Sequence, residues 1–293
     1  MRHSKSPDIQ IFSPASFPSS GKSWLDSVGL SYSADLPKKS FNGFAGTDLA
    51  RAQELTEILD RPVIAMASRG GYGCQRMLDF VDIPRNVQAK VCGFSDLTVL
   101  LNHLYQKHGI HCVHGPMLQW PSVATSNSLL VRSFESLVLK ECAFKCEFKG
   151  SLINCETLRG NIVGGNLSVL CSSFGTKYAP FFENNILFLE EINEATYRID
   201  RMLDQLSKQS GFNKLKGIIF GAFEKCVVSP ADSQDMEVDE VIRDFCERYD
   251  IPAVLNAPIG HISDFVCLPL GAYVELQAAK NGHVNWSIEV MND

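Results

Sequence analysis

The chain has 293 residues, with 27 Lys and Arg against 33 Asp and Glu, so its formal net charge at pH 7 is −6. Hydrophobic residues make up 45% and charged residues 20%, a composition that excludes an intrinsically disordered chain. Because the chain is mildly acidic and has no run of Lys or Arg, we expect it to bind neither nucleic acid nor an anionic membrane.

The length and the N-terminal residues indicate the domain count and the compartment. At about 100–200 residues per domain, the length favours two domains or one large α/β unit. Residues 1–16 lack the apolar segment of a secretory signal, and no apolar run approaches the ~18 residues of a membrane span. We therefore expect a cytoplasmic protein, in which the ten cysteines stay reduced and pack as small buried hydrophobes.

The N-terminal part of the chain alternates apolar strands with amphipathic helices. Strands are predicted at 9–12, 63–67 and 90–94, and helices at 47–59, 75–81 and 97–107. In the first of these helices Thr47 is a candidate N-cap, and the apolar face is predicted to consist of Leu49, Ala52, Leu55 and Leu59. Alternation with short connections predicts βαβ units and a parallel sheet.

Residues 121–160 break this alternation and are predicted to be a linker region, part of which alternates like an edge strand. The pattern then resumes, with helices predicted at 167–174, 197–209 and 238–249 and strands at 186–190, 217–221 and 252–255. The chain is predicted to close with a β-hairpin turned at Asn281-Gly282. These patterns predict an N-terminal α/β domain over 1–120 and a C-terminal β/α domain over 161–293.

Residues 16–23, SFPSSGKS, resemble the second half of a phosphate-binding P-loop. That loop needs a first glycine whose turn aims backbone N–H groups at phosphate, but Ser16 stands in its place and Pro18 removes one donor. The strand end at Glu190 and Glu191 could imitate the acidic residue that holds Mg²⁺ in such sites. We favour the alternative, an ordinary Ser/Gly loop with a helix cap, because only half of the motif is matched.

A serine lies at a predicted turn between a strand and a helix, in the sequence Gly93-Phe94-Ser95-Asp96. A sharp turn there would lift the hydroxyl out of the sheet and place it at a helix N-terminus, where N–H groups can hold an oxyanion. The usual elbow is G-x-S-x-G, and Leu97 stands where its second glycine belongs. The alternative is that Ser95 or Asp96 only caps the helix.

The glycine-rich loop Ser68-Arg69-Gly70-Gly71-Tyr72-Gly73 also follows a predicted strand directly. Its glycines permit a close backbone approach to a ligand, whereas the alternative is a flexible turn. We expect this strand to lie beside the strand that precedes Ser95. Because ligands in open parallel sheets bind at the carboxyl ends of strands, both loops are predicted to face one crevice.

A serine nucleophile needs a base, and two of the seven histidines are candidates. His261 lies in a loop with Gly and Pro after a strand, where functional side chains concentrate, and His114 is the second candidate. The spacing of three between His108, His111 and His114 argues against a metal site. Glu190 or Glu191 could orient the base, whereas the alternative for both is a solvated strand end.

Six motifs occur together and in a fixed order: RGGYG, GFSDLTVLL, HGPM, GGNLSVL, ILFLEE with YRIDRMLDQL, and GHISDFVCLPLG. In this order the chain resembles the LD-carboxypeptidases, a serine peptidase family that also contains the microcin-C self-immunity peptidases. The resemblance covers nearly the whole chain and is weakest over 120–155. It implies a flavodoxin-like or class I glutamine-amidotransferase-like N-terminal domain with a parallel sheet, and a smaller C-terminal β/α domain.

The resemblance also implies a catalytic triad. Ser95 falls at the family's nucleophile, Glu190 at its triad carboxylate and His261 at its base. The family more often has Asp after that glutamate, so Glu191 is a departure that leaves open which carboxylate acts. Ser95 is expected in the N-terminal domain and the other two residues in the C-terminal one.

The activity expected from this resemblance is that of a serine LD-carboxypeptidase. It would release terminal D-alanine from cytosolic murein tetrapeptides in cell-wall recycling, through an acyl-enzyme and without metal or cofactor. Backbone N–H groups of Gly71 and Asp96 would form the oxyanion hole. Arg69 and Gly70 are the candidates for substrate binding, with the Arg69 guanidinium on the terminal carboxylate. Because the family commonly forms dimers, we expect a homodimer.

Two other functions remain open. The first keeps the triad but hydrolyses peptidyl- or aminoacyl-nucleotide antibiotics, as the immunity branch does with a C-terminal-domain loop and aromatic stacking. Trp120 and Trp286 do not obviously belong to such a loop. The second is a non-catalytic α/β protein that binds a small molecule or nucleotide through RGGYG or SGKS.

Overall fold

The computed structural model describes residues 8–18, 23–120, 125, 127–228 and 235–290. The P-loop-like residues Gly21 and Lys22 lie outside these ranges. The chain divides into two compact units, each with its own sheet. The first extends to Glu141 and includes Val266–Leu270, and the second consists of Cys142–Phe265 and the chain from Gly271 onward.

The first unit is a doubly wound α/β domain. In the described residues its strands are β1 (Asp8–Phe12), β2 (Tyr32–Ala34), β3 (Val63–Ala67), β4 (Lys90–Gly93), β5 (Cys112–His114) and, late in the chain, β12 (Leu268–Pro269). The sheet order is β2-β1-β3-β4-β5-β12, with parallel pairs throughout except for β12, which runs antiparallel to β5. The order of β1 to β5 is that of flavodoxin-like folds, as expected.

The helices of the first unit begin and end at residues that fit the backbone. They are α1 (Trp24–Ser27), α2 (Asp48–Leu59), α3 (Cys74–Met77), α4 (Thr98–His108) and α5 (Leu129–Ser133), the last continuing into the π-helical segment Phe134–Leu139. Helix α2 begins where the Thr47 hydroxyl accepts the N–H of Ala50 at 3.2 Å. Its apolar face differs from the prediction, because Leu49 is 51% exposed and Arg51 is buried in its stead.

The second unit contains a larger, mixed sheet. Its described strands are β6 (Phe144–Lys149), β7 (Ser151–Ile153), β8 (Thr157–Asn166), β9 (Asn185–Ile192), β10 (Gly217–Glu224), β11 (Ala253–Leu255), β13 (Tyr273–Ala278) and β14 (His283–Glu289). The order is β6-β14-β13-β8-β9-β10-β11-β7, and the four strands β8 to β11 are parallel. Helices α6 (Leu167–Ser173), α7 (Thr196–Ser207) and α8 (Val238–Arg248) follow β8, β9 and β10. The predicted closing hairpin is confirmed, with Asn281 and Gly282 at positive φ.

Two expectations about domain organisation are corrected. Residues 121–160 are not a linker: their described part contains α5 and the π-helical segment in the first unit, and β6 and β7 at the two edges of the second sheet. The edge-strand alternation noted in this region is confirmed by β6 and β7, whereas the helical segments before them were not predicted. The C-terminal unit is not smaller than the N-terminal one, since the two contain 147 and 146 residues.

Most of the cysteine side chains are buried. Seven of the ten are buried, none is in a disulfide, and Cys142 is exposed. Burial raises the pKa of Cys171 to about 12 and that of Cys226 to about 11, so these thiols stay protonated at pH 7 and are poor nucleophiles. In the described part of the chain, no helix is both long and apolar enough to cross a membrane.

Candidate active site

Ser95 lies in the first unit, at a strained turn between a strand and a helix. Strand β4 ends at Gly93, a 3₁₀ turn spans Ser95–Leu97, and α4 follows at once. The φ of Ser95 is 63°, in the left-handed region that non-glycine residues rarely adopt. A side chain at Gly93 would lie 2.5 Å from Leu97 Cδ2, so the tight turn requires glycine there. This geometry is that of a nucleophile elbow.

The alternative in which Ser95 or Asp96 only caps the helix finds little support. The N-cap residues of the 3₁₀ turn and of α4, Phe94 and Leu97, make no side-chain cap bond. The Asp96 carboxylate instead accepts the N–H of Cys74 at 2.9 Å. Burial raises the pKa of Asp96, while the N–H groups of Cys74 and Gly73 and the charge of Arg51 favour its ionised form.

The glycine-rich loop lies against Ser95. Strands β3 and β4 are parallel neighbours, which confirms that this loop and the turn at Ser95 leave the same edge of the sheet. A Cβ placed on Gly70 would be 3.2 Å from Ser95 Cβ and 3.3 Å from its Oγ, so a larger residue there would press on Ser95. The half-buried Arg69 donates to the carbonyl of Phe17 at 3.3 Å.

A buried carboxylate and a histidine form a pair in the second unit. Glu190, near the end of β9, is fully buried, and its Oε2 lies 2.6 Å from Nδ1 of His261. His261 follows Gly260, whose φ of 105° and missing side chain let the loop pass over Glu190. Within the described residues, Glu190 Oε1 is buried without a hydrogen-bond partner. A carboxylate on Nδ1 fixes the imidazole tautomer and leaves Nε2 as the proton acceptor.

The adjacent Glu191 is committed to other partners. Its Oε1 accepts from Asn166 Nδ2 at 3.0 Å and from its neighbour Ile192, and its Oε2 accepts the N–H of Ser168 at 2.8 Å. Burial raises the pKa of Glu191, and these donors oppose the rise. The carboxylate therefore secures the first turn of α6 and is not the one that contacts His261.

The second candidate base, His114, belongs to the same unit as Ser95. It lies on β5 directly opposite Gly93 and is buried, with its ring 5.4 Å from that of Phe94. His114 therefore packs its ring edge-on against the residue that directly precedes Ser95.

Two family models match most of the chain. The model described as LD-carboxypeptidase N-terminal domain matches residues 9–115, and that described as LD-carboxypeptidase C-terminal domain matches residues 159–276. The chain belongs to the LD-carboxypeptidase family. It is therefore a carboxypeptidase-type hydrolase, and each unit described above carries one of the two family domains.

The chain has relatives that match it over most of its length. The probable murein peptide carboxypeptidase of Bacillus subtilis is 28% identical over 289 residues, which cover 94% of this chain and 90% of the relative. The crystal structure of muramoyltetrapeptide carboxypeptidase from Oxalobacter formigenes matches with a TM-score of 0.83 at 27% identity, covering 96% and 98% of the two chains. The Microcin C7 self-immunity protein of Escherichia coli is 26% identical over 266 residues, covering 78% and 75%.

Sequence reasoning missed the residues that support the glycine-rich loop of this LD-carboxypeptidase. The Ser16 hydroxyl accepts the N–H of Tyr72 at 3.2 Å, although Ser16 had been considered only as part of a P-loop. The buried Arg51 donates to the carbonyl of Gly73 at 2.9 Å. The signal for Arg51 was its spacing, because it lies four and seven residues before the buried Leu55 and Ile58 of α2.

Proposed function

We propose that Ser95, His261 and Glu190 act as a serine-peptidase triad. The observation that carries this proposal is the pair of Glu190 Oε2 and His261 Nδ1 at 2.6 Å, with the carboxylate fully buried. A buried carboxylate on Nδ1 is the orienting partner that a general base needs. The positive φ of Ser95 supports its role as nucleophile, since such strain concentrates at functional residues.

In this mechanism the Ser95 Oγ attacks the carbonyl carbon of the scissile peptide bond. His261 Nε2 takes the hydroxyl proton and later gives it to the leaving amine, while Glu190 stabilises the imidazolium. The N–H groups of Gly71 and Asp96 donate to the oxyanion, each typically contributing about 3 kcal/mol of transition-state stabilisation. The resulting acyl-enzyme is hydrolysed by water that His261 activates in turn.

The proposed substrate is the tetrapeptide stem of cytosolic muropeptides, from which the enzyme releases terminal D-alanine during cell-wall recycling. Two of the relatives carry names that state a murein peptide or muramoyltetrapeptide carboxypeptidase. The scissile bond joins the L-centre of a diamino acid to D-alanine. Gly70 would lie along the substrate, and Arg69 would bind the terminal carboxylate, for which a guanidinium offers two parallel donors. We expect the enzyme to act in the cytoplasm as a homodimer.

The test is mass spectrometry of murein tri-, tetra- and pentapeptides after incubation with the protein. We expect D-alanine release from the tetrapeptide alone, because the site is proposed to cleave an L,D bond. Ser95→Ala should abolish this release, whereas Ser172→Ala, at an exposed position of α6, should keep it. Full activity of Ser95→Ala would refute the serine mechanism, and cleavage of only the pentapeptide would refute the L,D specificity.

The microcin relative favours a second candidate, hydrolysis of an aminoacyl-nucleotide. Nucleobase recognition by stacking needs an accessible aromatic ring. Trp24 and Trp286 are buried at 2% and 1% exposure, and the ring of Trp120 packs edge-on against Phe94 at 4.8 Å. Trp24 and Trp286 thus offer no accessible ring, but Tyr72 of the glycine-rich loop is 57% exposed, so the preference for the muropeptide rests on the relatives named for murein peptides. Cleavage of an aminoacyl sulfamoyl adenosine, with no release of D-alanine from the tetrapeptide, would reverse the preference.

A further inference from the structure

A buried arginine donates a hydrogen bond to a backbone carbonyl of the glycine-rich loop. Arg51 of α2 is 2% exposed and donates to the carbonyls of Gly73, at 2.9 Å, and Gly46, at 3.3 Å. It also donates to the carbonyl of Pro14 and forms an ion pair with Asp48. Burying a guanidinium costs several kcal/mol unless its donors are paired. Here the pairing fixes the loop to helix α2.

A buried carboxylate holds the same loop from the amide side. Asp96 is 8% exposed, accepts the N–H of Cys74 at 2.9 Å, and is also favoured in its ionised form by the N–H of Gly73. The loop is therefore held at the carbonyl of Gly73 by Arg51 and at the N–H of the next residue, Cys74, by Asp96. Because Asp96 directly follows Ser95, the side chain ties the loop to the turn that carries the proposed nucleophile.

These contacts occupy N–H groups that follow Gly71 and leave those of Arg69, Gly70 and Gly71 without an acceptor among the described residues. The N–H of Tyr72 is taken by Ser16 Oγ at 3.2 Å, and those of Gly73 and Cys74 face Asp96. The N–H of Gly71 has no acceptor among the residues that the structure describes. Gly71 has a φ of 105°, and a side chain there would lie 2.2 Å from Ser16 Oγ. The loop is thus fixed on the C-terminal side of Gly71, whose N–H has no acceptor within the described residues.

We propose that Arg51 and Asp96 are positioning residues that hold the N–H of Gly71 in place to bind the oxyanion. The inference rests on the proposed function, in which Gly71 supplies one of the two donors. A loop with three glycines is otherwise permissive in φ and ψ, and a donor stabilises an oxyanion fully only when it is already oriented. The two buried charges provide that orientation, and they do so without contacting the substrate.

Arg51→Lys tests the proposal, with Arg76→Lys as its matched control. Lysine keeps the charge but loses the planar fork that reaches several acceptors at once. Arg76 shares two partners with Arg51, since it forms an ion pair with Asp48 at 2.9 Å and lies 5.0 Å from the centre of the Phe44 ring. Arg76 is 59% exposed, and none of its described bonds reaches the loop carbonyls. The comparison therefore separates the bonds of Arg51 to the carbonyls of Pro14, Gly46 and Gly73 from its contacts with Asp48 and Phe44.

The readouts are kcat and KM for the murein tetrapeptide, and inhibition by a peptide boronic acid in which boron replaces the scissile carbonyl. For Arg51→Lys we expect kcat to fall on the order of 10–10²-fold with little change in KM, short of the ~10²–10³ lost when an oxyanion donor is removed. The inhibition constant of the boronic acid should rise by a similar factor, whereas that of the tripeptide product should not. Arg76→Lys should match the wild type in all of these.

Equal effects of Arg51→Lys and Arg76→Lys, or a change confined to KM, would overturn the inference while leaving the proposed function intact. If Arg51→Lys does not fold, the near-isosteric Asp96→Asn decides, because it removes the charge from the amide side of the loop. For Asp96→Asn the inhibition constant of the boronic acid should rise while that of the tripeptide product should not. Wild-type inhibition constants for both compounds would refute the inference. A wild-type protein that releases no D-alanine would overturn the proposed function and this inference together.

Discussion

Gly260→Ala tests the Glu190–His261 pair without changing either residue. A Cβ at position 260 would lie 2.7 Å from both Cβ and Oε2 of Glu190, and 3.0 Å from its Cγ. Ordinary contacts of a Cβ begin at 3.4 Å, so the carboxylate or the loop must move by several tenths of an ångström. The loop carries His261 at the next position. The 2.6 Å bond between Oε2 and Nδ1 is therefore the contact that the new methyl group disturbs.

We expect a large effect on turnover because the catalytic rate depends steeply on the distances between the reacting groups. A misplacement of about 1 Å can cost on the order of 10²-fold in rate, so we expect kcat of Gly260→Ala to fall by about that factor. The variant should also lose stability, since a non-glycine residue at a φ of 105° costs about 1–3 kcal/mol. The assays are D-alanine release from the tetrapeptide and thermal unfolding.

Gly282→Ala separates the two effects. Gly282 has a φ of 72° in the closing hairpin of the same unit, and a Cβ there would meet nothing within 4 Å. We expect it to lose about 1–2 kcal/mol of unfolding free energy and to keep the wild-type kcat. If Gly260→Ala also keeps the wild-type kcat while its stability falls, the observed pairing of Glu190 with His261 is not required for turnover, and the proposed triad is wrong.

Two further predictions concern stability. Burial, reinforced by Asp35 and Glu57, raises the pKa of Glu54, while the N–H of Ser13 opposes the rise. Because the folded-state pKa lies above the ordinary value of 4.5, the folded protein loses stability as the pH rises through that range. Glu54→Gln should therefore melt at a higher temperature than the wild type at pH 7, with the gap closing below pH 4.5, and a gap independent of pH would contradict this assignment. Leu203→Ala, at a fully buried position of α7, should lose about 2–5 kcal/mol in urea unfolding, and a loss below 1 kcal/mol would mean that the core closes around it.

The elements that could be predicted from the sequence are those whose periodicity is long or whose caps are distinctive. Helix α2 has a Thr47 cap and repeated apolar positions, and the closing hairpin has Asn281-Gly282, which favours positive φ. The three-residue strands β2 and β5 were missed because neither is an uninterrupted apolar run, whereas the equally short β11, Ala-Val-Leu, is one and was predicted. Strands this short that lack such a run become recognisable only from their pairing with neighbours in the folded sheet.

Glycines explain why the long strand β8 was also missed. Three glycines interrupt its ten residues, and glycine is depleted in strands. The structure supplies the reason for Gly164, since a Cβ there would lie 2.0 Å from the carbonyl oxygen of Phe188 on the neighbouring strand. Such a glycine is required by the approach of two backbones, which is a tertiary contact. A pattern along one strand carries no information about it.

The same limit applies to the buried Arg51. Its position on α2 was consistent with a buried face, but the residue type favoured the surface, and the prediction placed Leu49 in the core instead. Four acceptors, contributed by residues 14, 46, 48 and 73, make the burial possible. The acceptors at residues 14 and 73 are distant from Arg51 in sequence, so the full set of bonds that compensates for burying the charge exists only once the chain is folded.

The two adjacent glutamates show how local geometry assigns a role that the family resemblance left open. Successive side chains of a strand point to opposite faces of the sheet, so Glu190 and Glu191 cannot serve the same partner from β9. Glu190 lies on the face reached by the loop that carries His261, and Glu191 lies on the face of α6, where Asn166 and Ser168 donate to it. Neither residue could exchange its role with the other unless the register of the strand shifted by one. An aspartate after the triad carboxylate, as the family more often has, would therefore also face the helix. The departure at position 191 changes the length of a structural side chain and leaves the proposed catalytic carboxylate where it is.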